Sequence, residues 1–217
     1  MKNILLTGGS GMVGGIILRE ALQSDEVGRV TSIGRKPLGV QHEKLMEVIH
    51  SDFMDYRKIM DYFKDQDAAL FCIGAYTGQV SDELFKRITL DFVKVFADAL
   101  HTHSPKATFC LLSGNGADQS EKSFISFARY KGMAENYLIA KEFEELYLFR
   151  PAYIYPVEKR KEPNLTYRIS RSLYPLIKAI YPQGAITSER LAKAMLQAAL
   201  TGAKQMVLEN EDIKELA

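Results

Sequence analysis

Cysteine is scarce: Cys72 and Cys110 are the only two in 217 residues. Each sits in an apolar run, FCIG and FCLLS, which suits a buried thiol better than a disulfide framework or a metal site. An excess of one charge is also missing. Lys and Arg number 28, Asp and Glu 27, for a formal net charge of +1. No positive excess offers itself to nucleic acid, and no block of like charge forms a tail. No apolar run is long enough to span a membrane. No secretory signal is visible, because Met1 leads straight into a strand-like run with no small-residue cleavage site behind it. There is no internal repeat and no low-complexity segment. These absences set the expectation of a soluble, cytoplasmic protein with no transmembrane segment and no nucleic-acid partner.

What is present fits an ordinary folded chain. Hydrophobic residues make up 47% and charged residues 25%, enough for a real core. The length suits one α/β domain spanning residues 1–217. Short strand-like apolar runs alternate with longer helical patterns. Strands are expected at residues 4–6, 29–33, 46–49, 68–73, 107–112 and 146–149, with a last one at 206–208. Val13, Ile16, Ile17, Leu18, Ala21 and Leu22 suit the buried face of a helix after the first strand. Leu84, Ile88, Phe92, Val95, Phe96 and Ala99 recur at helical spacing until Pro105. Helices are also expected over 124–140 and 187–200, the latter capped by Thr187 or Ser188. Strand and helix in alternation imply βαβ crossovers and a doubly wound parallel sheet, the Rossmann arrangement. Runs such as AALFCIG are apolar without a break, as a sheet buried on both faces requires.

The segment T-G-G-S-G-M-V-G, from Thr7 to Gly14, follows the first strand and opens the first helix. Gly8 permits a tight turn, and Gly11 lets backbone approach a pyrophosphate. Gly14 lets helix and strand pack closely. The helix N-terminus presents free N–H groups and a positive dipole end to phosphates. The residues between, Ser10, Met12 and Val13, belong to the same phosphate cradle. The pattern therefore predicts dinucleotide binding. An NAD site places an acid at the end of the second strand, for the ribose 2′-OH. Here that strand ends Ile33-Gly34-Arg35-Lys36. Two cations stand where a 2′-phosphate would sit, and Arg35 can grip it with two N–H groups. The expectation is NADP(H), with NADPH preferred over NADH.

The motifs TGGSGMVGG, IGRKP, LLSGNGAD, YKGMAEN and FRPAYIYP together resemble the short-chain dehydrogenase/reductase superfamily, in its atypical branch and, within that, the TIP30-like group. The resemblance covers nearly the whole chain. It implies a serine, Ser113, at the end of the fifth strand that polarises the substrate oxygen. It implies a lysine, Lys131, that holds the nicotinamide ribose and lowers the pKa of a tyrosine four residues earlier. That position is Phe127, which has no proton to give. Tyr130 is adjacent to Lys131 and about a hundred degrees away from it on a helix. The resemblance further implies adenine contacts from Asp52 and Phe53. It implies backbone near the nicotinamide ribose from Ile73, Gly74 and Ala75, and nicotinamide contacts from residues 152–155, Tyr153 among them.

Two functions stay open at this point. One is an NADP-dependent oxidoreductase on a small carbonyl or alcohol, with Ser113 and Lys131 in place and Tyr130, Tyr153 or water replacing the missing tyrosine. The other is a non-catalytic NADP(H)-binding sensor that acts through a protein partner. His101 and His103 end a helix, where the dipole favours them, and no neighbouring ligand completes a metal site. Residues 156–186 hold four prolines and a basic amphipathic stretch at 167–181. They are expected to form a small substrate lid.

Overall fold

The computed structural model describes residues 1–75, 78–158 and 184–217. Strands β1 (Lys2–Thr7), β2 (Val27–Gly34), β3 (Leu45–Ile49), β4 (Ala68–Phe71), β5 (Thr108–Leu112) and β6 (Leu146–Arg150) follow the apolar runs closely. Two three-residue strands, β7 (Tyr153–Tyr155) and β8 (Ala185–Thr187), come next, and β9 (Val207–Glu209) is last. The main sheet has seven strands in the order β3-β2-β1-β4-β5-β6-β9. Every pairing in it is parallel. The chain reverses its winding between β1 and β4, and that is where such sheets open a crevice at the carboxyl ends of their strands. β7 and β8 pair separately, also in parallel.

The sheet is covered on both faces, and residue alternation decides which face each side chain feeds. Ile4, Leu6 and Leu70 face a cluster with Ile17 of α1 (Gly14–Gln23) and with Leu191 and Met195 of α5 (Ser188–Thr201). Leu5, Ala69 and Phe71 face the opposite way. They meet Phe96 and Leu100 of α3 (Phe92–His103) and Ala134 and Leu138 of α4 (Ser126–Ile139). The Thr187 side chain caps α5 by accepting from Arg190 N–H, which ties one more sequence expectation to a hydrogen bond.

Three stretches depart from the sequence reading. The helical pattern at 84–99 is split into α2 (Asp82–Lys86), a π-helical turn at Arg87–Asp91, and α3. A 3-10 helix occupies Arg57–Phe63. A final helix, α6 (Asn210–Leu216), follows β9, its start held by reciprocal bonds between Glu209 and Asp212. The expected lid falls outside the described residues apart from 156–158 and 184–186, and the amphipathic stretch 167–181 lies wholly outside them.

Both thiols are free. Cys110 is buried and Cys72 partly so. No helix of the described residues is long and apolar enough to cross a membrane. Among the described residues, no group of three or more His, Cys, Asp or Glu side chains could hold a metal ion.

Candidate functional site

The glycine loop is shaped by contacts that only glycine permits. Gly8 adopts φ +79°, and a Cβ there would stand 2.7 Å from the Cys72 carbonyl oxygen. Gly11 N–H donates to Gly8 O at 2.8 Å and closes the turn. A Cβ on Gly14 would lie 2.2 Å from the same Gly8 oxygen. The turn, the close approach to β4 and the start of α1 thus depend on these positions.

Above the loop lies a cleft of about 360 Å³. Gly11, Met12 and Val13 line one side. Ile73, Gly74 and Ala75, just past β4, line another. Ser113, Gly114, Phe127 and Lys131 close it, and residues 151–154 with Pro156 complete the rim. A Cβ on Gly74 would meet nothing within 4 Å, and one on Gly11 would meet only the Gly8 oxygen at 3.0 Å. The backbone there is bare and open, as a pyrophosphate and ribose need. The residues present therefore fit a dinucleotide.

The end of β5 is gripped from α4. Ser113 N–H donates to Phe149 O at 2.8 Å, which fixes the serine to β6. Lys131 and Glu135 are four apart on α4 and so share a face. Lys131 Nζ donates to Leu112 O at 2.9 Å. Ser113 Oγ donates to Glu135 Oε1 at 2.5 Å. Glu135 is fully buried, and Arg150 of β6 pairs with both of its oxygens. Arg150 also reaches Glu209 at 3.1 Å. Its guanidinium is held above its usual range, chiefly by the Glu135 hydrogen bonds. Burial pushes the Lys131 ammonium down to about 8, against the opposing pull of Glu135. Burial pushes the Cys72 thiol up to about 12, so that thiol is inert at neutral pH.

The remaining expected residues fall in three places. Thr7, Gly8 and Gly14 are in the walls beneath the cleft rather than on its lining, and Ser10 is exposed on the loop. Arg35 and Lys36 are exposed on the turn after β2. That turn is braced by Leu38 N–H donating to Glu47 Oε1 at 2.6 Å. Asp52 is exposed, whereas the Phe53 side chain is buried in the core against Phe92 and Tyr56. Tyr153 lines the cleft.

Tyr130 does not line it. Its hydroxyl donates to Asp82 Oδ2 at 2.7 Å, and its ring lies by Phe85, which turns it toward α2. Phe127 does line it, and its para carbon would stand 2.5 Å from a Cβ on Gly114.

The sequence motifs YKGMAEN and FRPAYIYP contain Glu135 and Arg150, but sequence reasoning gave neither a role. The i,i+4 spacing of Lys131 and Glu135 was the available signal for the first. Nothing local marks the second.

Comparison with known proteins agrees with this geometry. A family model described as NAD(P)H-binding matches residues 8–172. Protein HTATIP2 of Rattus norvegicus is 28% identical over 221 residues, covering 99% of this chain and 89% of that protein. Among solved structures, the Bordetella bronchiseptica enzyme WbmH in complex with NAD+ superposes with a TM-score of 0.69. It is 16% identical, over 96% of this chain and 74% of that one. SP1627 of Streptococcus pneumoniae TIGR4, a candidate NADH-flavin reductase, gives a TM-score of 0.63 at 16% identity, over 93% of this chain and 94% of that one. At that identity these structures speak for the Rossmann fold alone.

Proposed function

The chain belongs to the NAD(P)H-binding family, and on that premise we propose an NADP(H)-dependent oxidoreductase acting on a small carbonyl or alcohol. The observation that carries this reading is the convergence of Ser113 and Lys131 on the cleft that the glycine loop also lines. Bound there, the dinucleotide supplies or accepts a hydride at its nicotinamide. The protein's own residues do the rest. Backbone from Gly8 to Gly14 and the start of α1 hold the pyrophosphate. Lys131 holds the nicotinamide ribose, helped by backbone from Ile73 to Ala75, and Tyr153 flanks the nicotinamide. Asp52 and the Phe53 backbone flank the adenine. Ser113 contacts the reacting oxygen.

Arg35 and Lys36 favour the 2′-phosphorylated cofactor, because both are exposed cations on a braced turn and β2 leads into them rather than into an acid. A bidentate Arg–phosphate contact is worth about 1.5–3 kcal/mol, so Arg35→Ala is expected to weaken NADPH by about tenfold or more. NADH affinity is expected to stay level. Calorimetric titration of both cofactors tests this, and equal affinity of the wild type for the two refutes the preference.

A second reading has its own support. Phe127 stands in the cleft where the resemblance calls for a proton-donating tyrosine. A non-catalytic NADP(H)-binding sensor that works through a protein partner needs no such proton. The two readings separate in one assay. An oxidoreductase consumes NADPH with some member of a carbonyl panel and loses that activity in Ser113→Ala. A sensor binds NADPH and turns over nothing.

A further inference from the structure

The buried carboxylate behind Ser113 decides which half of a hydrogen bond that serine can offer. A serine hydroxyl has one proton and two lone pairs. The Ser113 proton points at Glu135 Oε1, 2.5 Å away. Three further donors converge on the same carboxylate. Gln119 Nε2 reaches Oε2 at 2.9 Å and Arg150 Nε reaches Oε1 at 3.0 Å. Arg150 Nη2 also donates to Oε2. A carboxylate has about four acceptor positions, and all are taken, so Glu135 has no place for a proton of its own and cannot donate back. Glu135 is wholly inaccessible and Ser113 nearly so, which leaves no water to compete for the bond. With its proton committed to Glu135, the hydroxyl of Ser113, which lines the cleft, has its lone pairs left to offer.

We propose that Glu135 is a positioning residue that makes Ser113 a hydrogen-bond acceptor, and that the cleft therefore takes a ligand group that donates there. That group is an alcohol hydroxyl rather than a carbonyl oxygen. This rests on the reading of the cleft as the place where a substrate meets the dinucleotide. Within that reading it selects the alcohol as the form of substrate that the free site recognises. A ketone oxygen set against Ser113 meets two lone pairs and no proton.

Neutron diffraction from crystals of the full chain grown with NADP+ locates the deuteron on Ser113 Oγ. The expected position is between Oγ and Glu135 Oε1, and a deuteron directed into the cleft overturns the proposal. Cyclohexanol and cyclohexanone serve as matched probes, followed by saturation-transfer NMR on the NADP+ complex. Cyclohexanol is expected to bind about tenfold tighter, the worth of one hydrogen bond against an unpaired acceptor. Equal or tighter ketone binding overturns the proposal.

Glu135→Gln supplies a readout that a merely structural role would not move. An amide has one acceptor oxygen for the four donors. Of the two donors at Oε1 only the Ser113 hydroxyl can turn round, so with the amide oxygen on Arg150 Nη2 and Gln119 the NH2 faces Ser113 and Arg150 Nε loses its partner. The serine then accepts from the amide and releases its proton to the cleft. The probe preference is expected to reverse. Ser113→Ala is expected to abolish it, and serves where the glutamine variant fails to fold. If neither probe binds, the deuteron position decides. Failure of the underlying reading is separate: it shows as absence of NADP(H) binding by calorimetry, wherever the deuteron lies.

Discussion

Lys131 answers to two opposed demands. Its side chain is buried, which drives its ammonium down to about 8 from an ordinary value of 10.5. A ribose contact on a polyanionic cofactor instead favours the charged form. NADPH affinity is therefore expected to fall as pH rises through about 8, and Lys131→Met to bind more weakly with a flatter profile between pH 7 and 9. Folding stability moves the other way. Between about 8 and 10.5 the unfolded chain holds the lysine proton that the native state has released, so the stability contributed at this site rises with pH. Below 8 both states hold it, and the native fold bears the full cost of a buried charge. The stability gap between wild type and Lys131→Met should thus shift in favour of wild type across that window, as read by urea denaturation at stepped pH. A level gap removes the buried-ammonium argument. Phe127 is the neighbouring case, one helical turn earlier and also in the cleft. A positioned acid is worth about 10²–10⁴ in rate. Phe127→Tyr is expected to raise NADPH-dependent carbonyl reduction toward the lower part of that range, and a folded variant with no gain counts against this position as the missing acid.

The elements show where a sequence is readable and where it is not. The central strands, residues 4–6 of β1 and then β4, β5 and β6, are visible as nearly unbroken apolar runs, because a strand buried on both faces has no polar side to show, whereas β2 and β3 are legible from shorter runs broken by Thr31, Ser32 and Glu47. The glycine loop is visible for the same kind of reason: each of its glycines meets a neighbour only a few residues or one strand away. The π-helical turn at Arg87–Asp91 was not visible. Its apolar spacing continues that of α3, and the extra residue in the turn is settled by packing, with Thr89 and Leu90 buried in the fold. Helix α6 was missed because its sequence NEDIKEL buries just Asn210 and Ile213. Gly132 lies between these cases. Its place in YKGMAEN was legible, but its cause is tertiary: a Cβ there would lie 1.8 Å from the Asp118 carbonyl oxygen. That loop is wound on Asp118, which accepts from the backbone N–H groups of Ser120, Lys122 and Ser123. It also carries Gln119, one of the donors to Glu135. Gly132→Ala must push α4 and this loop apart, at an expected cost of about 1–3 kcal/mol or more. Chemical denaturation measures it, and a loss below about 0.5 kcal/mol shows that the close approach is dispensable.

At the scale of the whole molecule, Arg150 joins parts that are far apart in the chain. It sits at the end of β6 and pairs with Glu135 of α4 on one side and Glu209 of β9 on the other. Glu209 in turn opens α6. Asn115, just past Ser113, also donates to Glu209, at 3.3 Å. Asn210, the next residue, accepts from Ala152 N–H at the cleft rim and donates to Ala185 O of β8. The C-terminal β9–α6 unit is thereby fastened to the cleft through polar bonds that run from exposed to buried, as well as through Leu208 and Ile213 in the core. No local pattern betrays this arrangement, since each partner is 15 to 94 residues away. The energetic consequence is asymmetric. Replacing a whole buried pair by apolar groups can be neutral, but removing one member strands the other without water. Arg150→Met leaves the fully buried Glu135 with only Ser113 and Gln119. The expected loss is about 3–5 kcal/mol of folding stability, the range for an uncompensated buried charge. Pairing it with Glu135→Met removes the stranded carboxylate and is expected to restore most of that loss. The double variant should then unfold closer to wild type than Arg150→Met does, by denaturant midpoint at constant slope. Glu209, about half exposed, is the milder member: Glu209→Gln is expected to cost under about 1 kcal/mol. A double variant no more stable than Arg150→Met alone means that the arginine holds the fold through packing of its stem rather than through the charge it neutralises.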